Sequence, residues 1–361
     1  MRSVPHRRRA LVAALAALLG LGHGLAAFAQ IAGSPAHTPA SAIECRTGAR
    51  AAALQVLGSS GPLNAAGRAS TSYLLWLQGR PAIIVDTGPG STTNLARTGA
   101  DPTDLDAVLL SHLHPDHVSD LPGLLWDQDI LERNRPLLVT GPAGNDSFPD
   151  TKVFLERLFG VHGAYPALQA VLQPHSAFRL DIKIVNITRG QTSPVAGMDG
   201  VEISAYPVPH GKTPSLAYRI DGIGFSVVLG SDQSGTDPGF ARFAKDADVL
   251  VLHVALAPGA ARHPFAKVIG LPQTLGKLAA SAGAHRVVLS HLMAFPGTKP
   301  AVGDFSLSNP DAVLAAVRSV YGGDVSMASD LECIPLGRPT EGAPRAATNQ
   351  LSETAVGNEA R

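Results

Sequence analysis

The chain has 361 residues, in which 29 Lys and Arg balance 29 Asp and Glu, and aromatic residues make up 5%. A flat charge balance gives no electrostatic case for a broad nucleic-acid surface or an anionic membrane partner, and so few aromatics offer no platform for extended base stacking. The length allows two domains, but strand and helix signals alternate without a break and favour one larger α/β unit.

In chain order, Arg2 and Arg7-Arg8-Arg9 come first, then an apolar run over 10–22 and the small-x-small triplet Ala27-Phe28-Ala29. This order predicts a cleaved secretory signal over 1–29, with an apolar run too short to remain as a membrane anchor. Arg8-Arg9 also resembles part of a twin-arginine signal. The expected location is periplasmic or secreted. Residues 30–42 and 338–361 are small, polar and Pro-containing, so ordered structure is expected only over 43–337. The two cysteines, Cys45 and Cys333, flank that stretch, and in an exported chain they are expected to pair.

Within the domain, 54–57, 73–77 and 82–85 read as short strands separated by Gly- and Pro-containing turns. A helix is expected over 91–97 and a buried strand over 107–110, followed by helices near 120–126, 151–158 and 165–172. The second half repeats this sense, with strands at 182–185, 201–205, 217–220 and 225–229, a helix near 240–245 and a strand at 249–253. A helix at 273–281, a strand at 287–290, a helix at 309–319 and strands at 325–326 and 331–336 complete it. Strands followed by outer helices, twice over, suggest two sheets flanked by helices.

The chemistry concentrates in Ser111-His112-Leu113-His114-Pro115-Asp116-His117, directly after the apolar stretch 106–110. On extended backbone His112 and His114 point to the same side. A turn begun at Pro115 would bring Asp116 and His117 to a second point nearby. Imidazole nitrogen and carboxylate oxygen are the donors that zinc prefers among divalent ions.

This H-x-H-x-D-H run resembles the signature of the metallo-β-lactamase superfamily of binuclear metallohydrolases. Leu54-Gln55-Val56-Leu57-Gly58 resembles that family's opening strand, and Ala82-Ile83-Ile84-Val85-Asp86-Thr87-Gly88 the strand before the metal loop. Ser119-Asp120-Leu121-Pro122-Gly123-Leu124 resembles the segment after it, especially in the ribonuclease Z-like and arylsulfatase-like branch. The resemblance implies an αβ/βα four-layer sandwich with two central mixed sheets. It also implies two Zn2+ ions, with Mn2+ or Fe as alternatives. One metal would take His112, His114 and His210, the other Asp116, His117 and His291, and Asp232 would bridge them. His210, Asp232 and His291 each follow an apolar strand. Two such cations, roughly 3.5–4 Å apart, lower the pKa of a shared water and neutralise developing charge.

Asp116 and His253 are the catalytic candidates. In ribonuclease Z-like enzymes a His at the place of His253 donates a proton to the leaving group and precedes an acidic residue. Here Val254 follows, so an ordinary near-site histidine is the competing reading. Asp86 is expected to hold a ligand imidazole rather than a metal. Only a short segment separates His210 from Asp232, where many ribonuclease Z enzymes carry a tRNA-gripping arm. Export, the missing acid and the short interval lead to an expected small-molecule ester substrate, either a phosphodiester or an aryl sulfate. No nucleic-acid partner is expected, and a homodimer is left open. A lactonase or β-lactamase on the same fold, or a metal-binding sensor without turnover, are the alternatives.

Overall fold

The structure is a computed structural model that describes residues 45–46, 52–63, 67–294 and 305–337. The expected signal over 1–29, the segment 30–42 and the tail 338–361 lie outside the described residues. Among the described residues no helix is long and apolar enough to cross a membrane.

Two seven-stranded sheets lie face to face. The first contains β1 (Ala52–Gly58), β2 (Ser72–Leu77), β3 (Arg80–Val85), β4 (Ala107–Leu109), β5 (Leu137–Pro142) and β6 (Leu180–Val185). The second contains β7 (Ser193–Met198), β8 (Val201–His210), β9 (Thr213–Gly222), β10 (Phe225–Leu229), β11 (Val249–His253), β12 (Arg286–Ser290) and β13 (Asp324–Met327). The last strand, β14 (Cys333–Pro335), returns to the first sheet, whose order is β14-β1-β2-β3-β4-β5-β6. The second runs β13-β12-β11-β10-β9-β8-β7. Each sheet has antiparallel pairing on one side and parallel pairing on the other, changing at β3 in the first. In the second the change falls at β10.

Side-chain alternation builds the layers. Leu54, Val56, Tyr73 and Leu75 face inward against Ile203, Leu216, Tyr218 and Val227 of the opposite sheet. Their neighbours Leu57, Leu74 and Trp76 face outward under helices and pack with Leu121, Leu125 and Leu155. On the far side Val228, Leu250 and Leu252 pack with Leu275, Leu278, Val313 and Val317. Since helices cover both outer faces, the strands are buried on both sides and read as nearly continuous apolar runs.

The helices in question are α1 (Ser91–Thr98), α2 (Pro115–Val118), α3 (Leu121–Ile130), α4 (Thr151–Phe159), α5 (Pro238–Phe243), α6 (Pro272–Ala282) and α7 (Pro310–Arg318). Short polar side chains start three of them. Asp150 accepts from Val153 N at α4, Asp237 from Gly239 N at α5, and Asn309 from Ala312 N at α7.

Two strands have no counterpart in the sequence reading. β5 is the brief run LLVTGP, ending in two breakers, and β7 carries Pro194 and Gly197 at a sheet edge. The helix expected at 165–172 is a 3-10 segment, Pro166–Leu172. Cys45 and Cys333 form a disulfide across 288 residues of sequence. It ties the N-terminal approach to β14, the edge of the first sheet.

Candidate metal centre

Most polar groups of the centre arrive where strands end, at one rim of the sandwich. Asp86 follows β3, Ser111 and His112 follow β4, His210 ends β8, Asp232 follows β10, His253 ends β11 and His291 follows β12. Three of these exits turn through left-handed backbone: Asp86 (φ 60°), Ser231 (φ 56°) and His291 (φ 59°). Such conformations are unfavourable for non-glycine residues and are held by what surrounds them. After His112 the chain stays extended to His114, and Pro115 then opens the one-turn helix α2, which carries Asp116 and His117.

Most of the imidazoles have one nitrogen fastened and the other aimed inward. His117 Nδ1 donates to Asp86 Oδ2 (2.8 Å), and the Asp86 carboxylate also accepts from Ser111 N and Oγ (2.7 Å each). His210 Nδ1 donates to the Val268 carbonyl at 3.1 Å, Ser111 Oγ lies 3.1 Å from His112 Nδ1, and Thr213 Oγ1 lies 3.1 Å from His114 Nε2. These contacts fix ring orientation in the way outer partners of metal ligands do. The free nitrogens then crowd together: His112 Nε2 is 3.0 Å, and His210 Nε2 3.4 Å, from His114 Nδ1. Asp232 Oδ2 stands 3.9, 3.8 and 3.7 Å from Nε2 of His112, His117 and His210. His291 Nε2 lies 3.2 Å from Asp116 Oδ2 and 3.3 Å from Asp232 Oδ1. Gly61 leaves room for this ring, because a Cβ there would come within 2.6 Å of His291 Cε1.

Two groups result, each with donor atoms within 4.8 Å of one another: His112, His114, His210 and Asp232, and then His117, Asp232, His253 and His291. Asp116 joins the second, with Oδ2 3.4 Å from His117 Nε2. Thus the structure brings together all seven residues placed as ligands from the sequence. His253 lies among them but faces away from the opening. Its Nδ1 donates to Asp232 Oδ1 (2.7 Å), its Nε2 meets the Tyr73 hydroxyl (3.0 Å), and it does not line the cavity over the centre. That placement differs from the one expected of a leaving-group proton donor.

These residues fit divalent cations. His117 Nε2 is buried with no hydrogen-bond partner, although it sits among carboxylates. Burial opposes charge on His117, yet Asp116 and Asp86 outweigh it and raise its pKa well above the ordinary value. Burial likewise resists charge on Asp116 and Asp232. The imidazoles outweigh that resistance, His117 foremost at Asp116 and His291 at Asp232, and hold both carboxylates ionised. Burial, reinforced by the neighbouring histidines, keeps His112 and His114 deprotonated, as a ligand must be. The field therefore calls for positive charge that the imidazoles cannot all carry as protons.

A cavity of about 380 Å³ opens onto this floor, with Asp116, His210, Asp232 and His291 at its base and Phe265, Val268, Ile269 and Met293 along one wall. Lys212, at the tip of the β8–β9 hairpin, reaches its rim and that of a neighbouring cavity containing Arg189 and Asn145. Tyr73, Ser111, Gly61 and Thr213 escaped the sequence reading. Each matters through a contact made only on folding, and local spacing gives no sign of it.

Such a sandwich, with its His/Asp cluster on the rim, defines a metal-dependent hydrolase. The sequence profile of the metallo-β-lactamase superfamily matches residues 65–197. Ribonuclease Z of Mycobacterium bovis (strain BCG / Pasteur 1173P2) is 30% identical over 202 residues, spanning 55% of this chain and 68% of that protein. The chain belongs to the metallo-β-lactamase superfamily. In fold it is similar to human tRNase Z, short form, at a TM-score of 0.59 and 18% identity, covering 78% of this chain and 98% of that one. It is also similar to the metallo-β-lactamase fold protein YhfI from Bacillus subtilis, at 0.58 and 22%, with the same coverage.

Relatives named as ribonucleases overturn the expectation of no nucleic-acid partner. One fault lies in the charge argument, which stood beside export, the missing acid and the short His210–Asp232 interval. Net charge is a sum over the chain, whereas a phosphodiester is gripped locally by cations and a few side chains, so a zero sum excludes nothing.

Proposed function

We propose that the protein is a binuclear, zinc-dependent phosphodiesterase, with RNA among its substrates. The observation that carries this reading is the pair of ligand groups sharing Asp232 at the floor of the cavity. His112, His114 and His210 would hold one ion, Asp116, His117 and His291 the other, and Asp232 both. Two bound divalent ions supply Lewis acidity toward a phosphoryl oxygen and a nucleophile at neutral pH. The chain's residues do the rest. Asp86 and Val268 keep His117 and His210 turned inward. Asp116, which lines the cavity, is placed to orient an entering water by accepting its hydrogen bond. Lys212 offers an ammonium to a non-bridging phosphate oxygen, and the apolar wall around Phe265 suits a base or aryl group.

Export is part of the proposal. The opening of the chain has the order of a secretory signal, and the Cys45–Cys333 bond suits an oxidising compartment. The deciding test is elemental analysis of protein purified without chelator, followed by turnover of bis-aryl phosphate and RNA beside aryl sulfate, lactone and cephalosporin. Two zinc ions per chain with phosphodiester cleavage are expected. Fewer than two ions, or turnover of only the other esters, would overturn the reading.

A further inference from the structure

His253 and Tyr73 form a buried chain behind the centre that the ligand set does not use. Tyr73 stands on β2 of the first sheet and His253 at the end of β11 in the second, so their contact crosses the interior of the sandwich. Both are essentially inaccessible, at 1% and 2% exposure. The order of donors along the chain is determined. Burial raises the pKa of the Tyr73 phenol, so it keeps its proton. A phenol that donates to Nε2 leaves the single proton of a neutral imidazole on Nδ1. From there His253 donates to Asp232 Oδ1 at 2.7 Å. With Oδ1 so engaged, Oδ2 is the oxygen turned toward His112, His117 and His210.

We propose that Tyr73 and His253 are positioning residues which set the rotation of the Asp232 carboxylate, and with it the spacing and retention of the two metals. The inference rests on the metal-centre reading above. It departs from the proton-donor role suggested by resemblance, because both ring nitrogens are turned to protein groups. The ionised Asp232 carboxylate, which can only accept, asks for the same Nδ1–H tautomer, so the two contacts reinforce each other. A His253 that lost the phenol would keep its Nδ1 proton on Asp232 but have a buried Nε2 without a partner and a ring free to turn, and the carboxylate it holds would turn with it. Partners of this kind typically matter by about 10- to 100-fold in metal affinity.

The test uses the full chain stripped of metal and reloaded with cobalt(II), which reports its coordination through visible absorption. Tyr73→Phe removes one oxygen and keeps the ring. The expected result is a changed absorption band together with roughly 10-fold or greater loss of affinity for one of the two ions, read against a competing chelator. The same substitution made in a His253→Asn background should add nothing, because the tyrosine acts through the histidine. A spectrum and affinity unchanged by Tyr73→Phe would overturn the proposal. So would losses that simply add in the double variant, or a lowered melting temperature with an unaltered spectrum, which marks a packing role. Wild-type protein that takes up no cobalt would instead bring down the metal-centre reading itself, and this inference with it.

Discussion

The two sheets are built alike but furnish the centre differently. Tyr73 on β2 pairs with Val85, just before Asp86, and Tyr218 on β9 pairs with Leu229, just before the turn to Asp232. Each tyrosine reaches across to the opposite sheet. Tyr73 meets His253 where β11 ends, and Tyr218 donates to the Leu110 carbonyl where β4 ends (2.9 Å). Asp86 and Asp232 thus occupy matching exits with different duties. Asp86 fastens Ser111 and His117 from behind, whereas Asp232 stands among the imidazoles themselves. The scaffold dictates where polar groups emerge, and two added residues, Gly230 and Ser231, decide whether a carboxylate holds a ligand or becomes one.

The sharpest way to break that comparison is to remove the two aspartates separately. Asp232→Ala should abolish hydrolysis, a loss of about a thousandfold or more, with the fold retained. The measurement is phosphodiester turnover beside circular dichroism. Near-wild-type turnover would show that the two aspartates are not divided in this way.

The sheets also differ at their edges. β7 is joined to β8 by a tight hairpin, while its counterpart β14 arrives from the far end of the chain and is stapled by Cys45–Cys333. Closing so long a loop contributes about 5–6 kcal/mol on the chain-entropy model, less any strain. Reduction should therefore lower the melting temperature by many degrees without releasing metal. Prompt metal loss on reduction would mean that the β14 edge reaches the centre.

Asp86→Ala should act more mildly than Asp232→Ala, since it frees His117 without removing a ligand. About 10- to 100-fold weaker metal retention is expected, with activity restored by added zinc. Activity that stays lost at saturating zinc would place Asp86 in the same class as Asp232.

The same contrast explains what was legible in the sequence. The first half packs His112, His114, Asp116 and His117 into one loop, and this spacing is a signal by itself. The second half delivers His210, Asp232 and His291 singly, each at a different strand exit, where spacing says little and family resemblance supplied them. The four-layer architecture was legible because both-sided burial writes long apolar runs into the strands. β5 and β7 were not, being interrupted by Gly and Pro and defined by their neighbours. The Tyr73–His253 contact spans 180 residues and leaves no local trace.

The smallest expected effect concerns protonation, in which the halves differ again. Burial lowers His112 and His114 in the first half and His253 in the second, the last to about 4 from an ordinary 6.5. In the metal-free protein such groups are neutral when folded, so between the two values the unfolded chain binds more protons. Their stabilisation is complete above pH 6.5 and is lost as the pH falls through that window. His117 is raised and works the other way, contributing at low pH and fading as the pH rises through its folded value. Three lowered groups against one raised predict a net loss on acidification from about pH 7.5 to 5.5, with His253 alone responsible for about 1 kcal/mol. Denaturant titration of chelator-treated protein at the two pH values measures the net loss, and His253→Asn should remove the share due to that residue. Stability that rises toward pH 5.5 would show that the ion pair of His117 with its carboxylates, and not burial of the other imidazoles, governs the empty centre.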